Sequence, residues 1–74
     1  MKTDKIVKDL NDALFASEPQ RVMQLGDYVE ISYESVALNS TLMDRLNPII
    51  QKNHLSYDIL PIGDKVQITF MKWV

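Results

Sequence analysis

LGDYVEISY, residues 25–33, returns as IGDKVQITF at residues 62–70, so the chain carries one nine-residue pattern twice. Gly, Asp, Val and Ile recur at the same places, and four further positions exchange residues of similar shape or polarity. Tyr28 against Lys65 is the one pair that differs in kind. In each copy a Gly-Asp pair precedes apolar residues alternating with polar ones, which is typical of a strand entered from a tight turn.

The Gly-Asp pairs predict two β-hairpins. Each pair follows a short, mostly apolar run, VMQL in the first copy and ILPI in the second, so strands flank it on both sides. Glycine at the first turn position accepts a positive φ, as a type II′ turn requires. A two-residue turn also fixes the register, and it pairs Leu25 with Tyr28 and Ile62 with Lys65. Pro61 has no backbone donor, so we expect its strand to lie at an edge of the sheet or to leave that position unpaired.

An apolar stripe with helical spacing precedes each hairpin. The segment KIVKDLNDALFA (5–16) aligns with TLMDRLNPIIQK (41–52), and both carry apolar residues at positions i, i+1, i+4, i+7 and i+8. Helices and hairpins together predict an α+β fold, a two-layer αββαββ arrangement with two helices on one face of a four-stranded antiparallel sheet. We interpret residues 1–74 as a single domain of internally duplicated helix-plus-hairpin units, at about residues 3–34 and 39–73.

The limits of the first helix depend on single residues. Thr3 or Asp4 is expected to cap its start, and Pro19 is expected to stop it one or two residues earlier. Phe15 points away from the apolar stripe. We expect it to fold over the helix end onto the hairpin, with contact to a partner as the alternative.

The start of the second helix is open between several residues. Ser35, Asn39 and Ser40 are its candidate caps, and a start at Ser35 would give a longer helix. Pro48 lies inside the apolar stripe. It either kinks the helix or begins a fresh turn that Asn47 caps.

The hairpin registers assign apolar side chains to both faces of the sheet. The face under the helices is predicted to carry Val22, Val29, Ile31, Tyr33, Leu55, Tyr57, Ile59, Val66, Ile68 and Phe70. The opposite face, here called the open face, carries polar residues and seven large apolar ones: Met23, Leu25, Tyr28, Leu60, Ile62, Met71 and Trp73. A contiguous apolar patch on a solvated face usually marks an interface, so these seven residues are the predicted partner-binding site.

Two alternatives to an interface are open for the seven residues. Twisted hairpins could fold the strand ends and the C-terminus into the margin of the core. A small molecule could also bind under the sheet.

The apolar residues of the open face favour an interaction module, and the charge balance argues against a nucleic-acid binder. Eight Lys and Arg residues are scattered among ten Asp and Glu, which gives a net charge of −2 and no basic cluster for a phosphate backbone. We predict a small non-enzymatic protein-interaction module, a regulator, adaptor or inhibitor that binds another protein or a second copy of itself in a homodimer. The alternative is a single-stranded nucleic-acid-binding protein that stacks bases on Tyr28 and Trp73 beside Lys65.

Few residues could carry chemistry. The one histidine, His54, lies at the end of the second helix, where it suits a capping role opposite the helix dipole. Ser56 and Asp58 come next, but a strand does not bring a nucleophile and a base within reach. Asp27 and Asp64 occupy equivalent turns, and turn geometry already explains them. We therefore predict no catalytic residue, no cofactor and no metal.

The sequence also bears on location. Absence of cysteine permits a reducing compartment, and no apolar run is long enough for a membrane span or a secretory signal. We expect a soluble cytoplasmic protein that does not contact membranes.

Overall fold

The computed structural model describes residues 2–73, with the backbone alone for Lys2, and it confirms the two-layer α+β fold. The elements are α1 (Lys2–Leu14), β1 (Arg21–Leu25), β2 (Tyr28–Val36), α2 (Leu42–Asn53), β3 (Ser56–Ile62) and β4 (Lys65–Trp73). The strands form one antiparallel sheet in the order β1-β2-β4-β3. Both hairpins therefore meet through their second strands, and β1 and β3 are the edges. The edge position of Pro61 is confirmed.

Both hairpin turns have the backbone signs of type II′. Gly26 has a φ of 58° and Gly63 a φ of 63°, whereas neither following aspartate takes a positive φ. The registers observed in the two hairpins are those predicted from the turn length. The Gly-Asp repeat thus fixes which side chains share a face.

A local two-fold axis relates the two halves of the sheet. In the central pair of strands Ser32 faces Thr69, its counterpart in the sequence repeat, and their hydroxyl oxygens lie 3.2 Å apart in a hydrogen bond. Beside them Tyr33 packs edge-on against its own counterpart Phe70, with ring centroids 6.1 Å apart. The arrangement of the two units follows the repeat, and their common origin stays a prediction.

The core lies between the sheet and the helices. Its buried apolar residues are Ile6, Leu10, Leu42 and Leu46 from the helices and Val29, Ile31, Tyr33, Val36, Leu55, Val66, Ile68 and Phe70 from the sheet layer. Three residues predicted for this face, Val22, Tyr57 and Ile59, are exposed. They belong to the edge strands, which two helices do not cover. None of the seven predicted site residues belongs to the core or packs against it.

The first helix differs from its predicted limits. Thr3 and Asp4 lie inside the first turn of α1, so neither is its N-cap residue, and α1 ends at Leu14, well before Pro19. The chain leaves the helix where Phe15 takes a left-handed φ of 54°, followed by backbone hydrogen bonds that close a Schellman end. This end is made by the backbone, so it needs no proline.

The second helix begins later than predicted. Thr41 is its N-cap, so none of the three predicted caps takes this position. Ser35 belongs to β2, and the longer helix from Ser35 is therefore wrong. Asn39 instead accepts hydrogen bonds from the amide and hydroxyl of Thr41, at 3.0 and 2.8 Å. Pro48 lies inside α2, so the fresh turn capped by Asn47 is also wrong.

Arg45, which the sequence did not single out, joins the two helices. Its Nε donates to the Ala13 carbonyl at 2.8 Å, its Nη1 donates to the Thr41 hydroxyl, and its guanidinium lies 4.8 Å from the centroid of the Phe15 ring. The carbonyls in the last turn of a helix have no hydrogen-bond donor within the helix. Arg45 supplies a donor to one of them, the carbonyl of Ala13. The prediction that Phe15 folds over the helix end onto the hairpin is wrong, because its side chain is 81% exposed.

Replacing Arg45 by methionine is expected to lower the free energy of unfolding by roughly 1–2 kcal/mol, because two hydrogen bonds from the guanidinium and a cation–π contact are lost. Urea unfolding followed by circular dichroism measures the change. Arg21→Met is the matched control, since Arg21 forms an exposed ion pair with Glu30 at 4.0 Å, and such pairs contribute about 0–1 kcal/mol. Equal losses in both variants would contradict the joining role of Arg45.

Candidate protein-interaction surface

The strand order divides the seven predicted site residues into two groups on the open face. Five lie together at one end of β1, β2 and β4 and are here called the Trp73 patch: Met23, Leu25, Tyr28, Met71 and Trp73. Leu60 and Ile62 lie on β3 near its turn. Leu60 faces Gln67, which precedes Met71 by four residues and Trp73 by six on β4, so Leu60 lies roughly 13 Å from Met71 and roughly 20 Å from Trp73 along the strand direction.

The Trp73 patch consists of two adjacent rows of paired residues across three strands. One row is Leu25, Tyr28 and Trp73, and the next is Met23, Glu30 and Met71. Leu25 is 65% exposed and Trp73 is 77% exposed, while the other apolar members are partly buried. The patch therefore presents a leucine and a tryptophan above a base of methionine and tyrosine side chains.

Trp73 is held against the sheet by an aromatic contact. Its ring centroid lies 4.8 Å from that of Tyr28, with the two planes inclined at 47°. Aromatic pairs in such offset arrangements contribute about 0.5–1.5 kcal/mol beyond their burial. The exposed indole thus has a partner that orients it on the open face.

One carboxylate lies within the patch. Glu30 sits between the two methionines and forms the 4.0 Å ion pair with Arg21 at the edge of the sheet. Partial burial, a hydrogen bond to the Glu30 side chain, and the negative charges of Glu30 and Asp58 raise the pKa of the Tyr28 hydroxyl. Tyr28 is therefore neutral at physiological pH, and its hydroxyl is turned toward the acidic residue.

A groove of about 380 Å³ opens beside Trp73 toward the helices. It is lined by Lys5, Ile6, Asp9, Lys52, Asn53, Lys72 and Trp73. Lys72 donates to the Asn53 carbonyl at the end of α2, where a cation complements the helix dipole. Three lysines against one aspartate leave the groove positively charged. Trp73 therefore separates an apolar surface from a basic one, which the sequence did not predict because these lysines come from three elements.

The structure places His54 at the end of α2 and the two turn aspartates far from each other. His54 is the C-cap residue of α2, with a left-handed φ of 54° and an exposed side chain. The cap is made by the backbone amide, and a role of the side chain opposite the helix dipole stays a prediction. Asp27 and Asp64 lie at opposite ends of the sheet, because the strands that follow them run antiparallel. Within residues 2–73, no three His, Asp or Glu side chains are grouped so that they could hold a metal ion.

The basic residue of the predicted nucleic-acid platform is also distant. Lys65 begins β4 and Trp73 ends it, which separates them by roughly 27 Å along the strand. The residues next to Tyr28 and Trp73 on the open face include Glu30 instead. The structure brings the two aromatic rings together without the lysine.

Fold and surface define a class, a small two-layer α+β domain whose open sheet face carries an apolar patch. Comparisons of the chain with family models, with curated proteins and with solved structures find no match. Within the described part of the chain, neither helix has the length and apolar character that crossing a membrane takes. The functional interpretation therefore depends on the geometry of this surface.

Proposed function

We propose that the chain is a small non-enzymatic protein-interaction module, a regulator, adaptor or inhibitor, that binds another protein through the Trp73 patch. The observation that carries this proposal is the adjacency of five large apolar side chains on the open face. Contiguous exposed apolar patches mark interaction sites, and aromatic and methionine side chains are enriched at the centre of protein interfaces. We place the protein in the cytoplasm, a compartment that suits a chain without cysteine.

A different protein fits the Trp73 patch better than a second copy of the chain does. A symmetric contact of two patches would bring two Glu30 carboxylates into one desolvated interface, which is electrostatically costly. The lysines of the neighbouring groove, Lys5 and Lys52 among them, attract an acidic group. The partner surface that we expect is therefore apolar, with an acidic side chain placed to reach around Trp73 into the groove.

A single-stranded nucleic acid is the second candidate ligand. Its support is the pair of adjacent rings, Tyr28 and Trp73, which offers stacking surface. The position of Glu30 beside the rings and of Lys65 at the other end of the sheet counts against it. If this candidate were right, an oligonucleotide at low salt would quench Trp73 fluorescence, and added salt would reverse the quenching steeply.

Leu25→Glu is expected to weaken partner binding at least about tenfold, because it places a charge on an exposed apolar member of the Trp73 patch. A photo-reactive residue introduced at position 25 in the native host first captures the partner. The complex of purified proteins is then titrated by following Trp73 emission, since the chain has one tryptophan. Binding over the patch should shift that emission to the blue.

Ile62→Glu is the matched control for this test. Ile62 is the repeat counterpart of Leu25, it is also exposed on the open face, and it lies outside the Trp73 patch. We expect Ile62→Glu to bind the partner as the unchanged chain does. Equal loss of binding in the two variants, or capture from position 62 and not from position 25, would contradict the proposed site.

A further inference from the structure

The edge strand β3 is exposed along its whole length. All seven of its residues are exposed, and no helix covers either side of it. Four of them are large and apolar: Tyr57 and Ile59 on the helix side of the sheet, and Leu60 and Ile62 on the open face. Long apolar edges with unpaired backbone groups readily accept another strand. The other edge, β1, has five residues and begins with Arg21.

The free backbone groups of β3 follow from its hairpin register. Next to a two-residue turn, Ile62 and Lys65 form a hydrogen-bonded pair, and bonded pairs then alternate with non-bonded ones. The backbone groups of Tyr57, Ile59 and Pro61 therefore point away from β4. This outward row offers two amides and three carbonyls, because proline has no donor. Pro61 thus removes one donor from the edge without removing a bond to β4.

We propose that β3 pairs antiparallel with β3 of a second copy of this chain, with Ile59 facing Ile59 of the partner subunit. The two sheets then form one eight-stranded sheet with the two-fold axis perpendicular to it. Both helix layers lie on the same side, and the two Trp73 patches stay free. The proposal is independent of the proposed function, since it uses a different part of the surface.

Hydrogen bonding and charge select this register among the symmetric ones. When Ile59 faces Ile59 of the partner subunit, the outward-pointing backbone groups of the two strands form four hydrogen bonds. Two join the Ile59 residues, and one runs from each Tyr57 amide to a Pro61 carbonyl. Centred on Asp58, the number of bonds is the same, but two carboxylates stand directly opposite each other, which is destabilising. Centred on Leu60, the missing donor of Pro61 leaves two bonds.

The side chains support the same pairing. On the helix side this register places Ile59 against Ile59 of the partner subunit and Tyr57 against Pro61, so the whole row is uncharged. Pairing β3 with β1 of another copy would instead be head-to-tail and would extend into filaments. Contact along one strand buries less than about 1,200 Å², the range of weak interfaces. The dimer should therefore be reversible.

Sedimentation equilibrium of the unchanged chain, from about 10 μM to about 1 mM, tests the association. We expect the average mass to rise from one chain toward two. Ile59→Lys should raise the dissociation constant at least about tenfold, because it places two ammonium groups side by side. Val22→Lys is the matched control, since Val22 is the repeat counterpart of Ile59 on the other edge, and it should associate like the unchanged chain.

Disulfide cross-linking tests the register, because the chain has no cysteine of its own. Ile59→Cys should form a cross-linked dimer under mild oxidation, since paired residues lie within disulfide distance. Ile62→Cys should not, because the two Ile62 positions are then offset by roughly 20 Å. A chain that stays monomeric at about 1 mM would overturn the proposal. A dimer that survives Ile59→Lys, or that cross-links equally through position 62, would overturn it too.

The two proposals fail separately. Leu25→Glu alters the Trp73 patch and should leave the dimer mass unchanged. Ile59→Lys alters the edge and should leave partner binding unchanged. A loss of both properties in one variant would point to unfolding, which circular dichroism detects.

Discussion

Replacing Phe70 by alanine is expected to lower the free energy of unfolding by about 3–5 kcal/mol. Phe70 lies on a central strand, is 1% exposed, and packs edge-on against Tyr33. Its removal leaves a cavity at the centre of the core, where neighbouring side chains close the space poorly. A domain of this length has a total free energy of unfolding of roughly 4–11 kcal/mol. The variant should therefore unfold at a much lower urea concentration.

The other phenylalanine provides the control for this prediction. Phe15→Ala should lower the free energy of unfolding by less than about 1 kcal/mol. The Phe15 ring is exposed, and its removal takes away the contact with the Arg45 guanidinium without opening a cavity in the core. If Phe70→Ala leaves too little native protein to measure, Phe70→Leu keeps most of the volume and should give an intermediate loss. Similar losses for Phe70→Ala and Phe15→Ala would contradict the core described above.

Replacing Pro48 by alanine is expected to stabilise the protein by about 2 kcal/mol. A proline inside a helix removes one hydrogen bond and crowds the preceding turn, at a cost of about 3 kcal/mol, and alanine restores the amide. Greater freedom of the unfolded chain offsets about 0.4–1 kcal/mol of that gain. The melting temperature should rise by roughly 8–16 °C, which differential scanning calorimetry measures.

Pro61→Ala is the matched proline control. Its new amide points away from β4, so the monomer gains no hydrogen bond and we expect no rise in melting temperature from intramolecular bonding. The same amide completes the outward row of β3, so the variant should dimerise more strongly than the unchanged chain. A melting temperature of dilute Pro48→Ala no higher than that of dilute Pro61→Ala would contradict the cost assigned to Pro48.

Most of the fold could be predicted because the decisive signals are local. A Gly-Asp turn fixes the register of the residues beside it, and two stripes of period 3.6 identify the helices. The helix ends were predicted less well. Phe15 ends α1 through a left-handed backbone conformation that its residue type does not favour, and Thr41 is one of several neighbouring residues of a type that caps helices. Arg45 was missed for another reason, since two of its three contacts, with Ala13 and Phe15, are made across to the end of α1.

The candidate site could be predicted in part. The register within each hairpin places all seven residues on the open face, but it does not determine which strands of the two hairpins pair with each other. The pairing of β2 with β4 brings Trp73 next to Tyr28 and leaves Leu60 and Ile62 on the far edge. That pairing joins residues about half the chain apart, and no local pattern specifies it.

The position of β4 has a consequence for how the chain folds as it is synthesised. This strand occupies the middle of the sheet, yet it leaves the ribosome after every other element. Until β4 has been synthesised, β2 pairs with β1 on one side and has no strand on its other side. The core residues that β4 supplies, Val66, Ile68 and Phe70, are then missing beneath the helices. Folding should therefore start late, proceed more slowly than in a helical bundle of this length, and expose the inner edge of β2 to chaperones in the meantime.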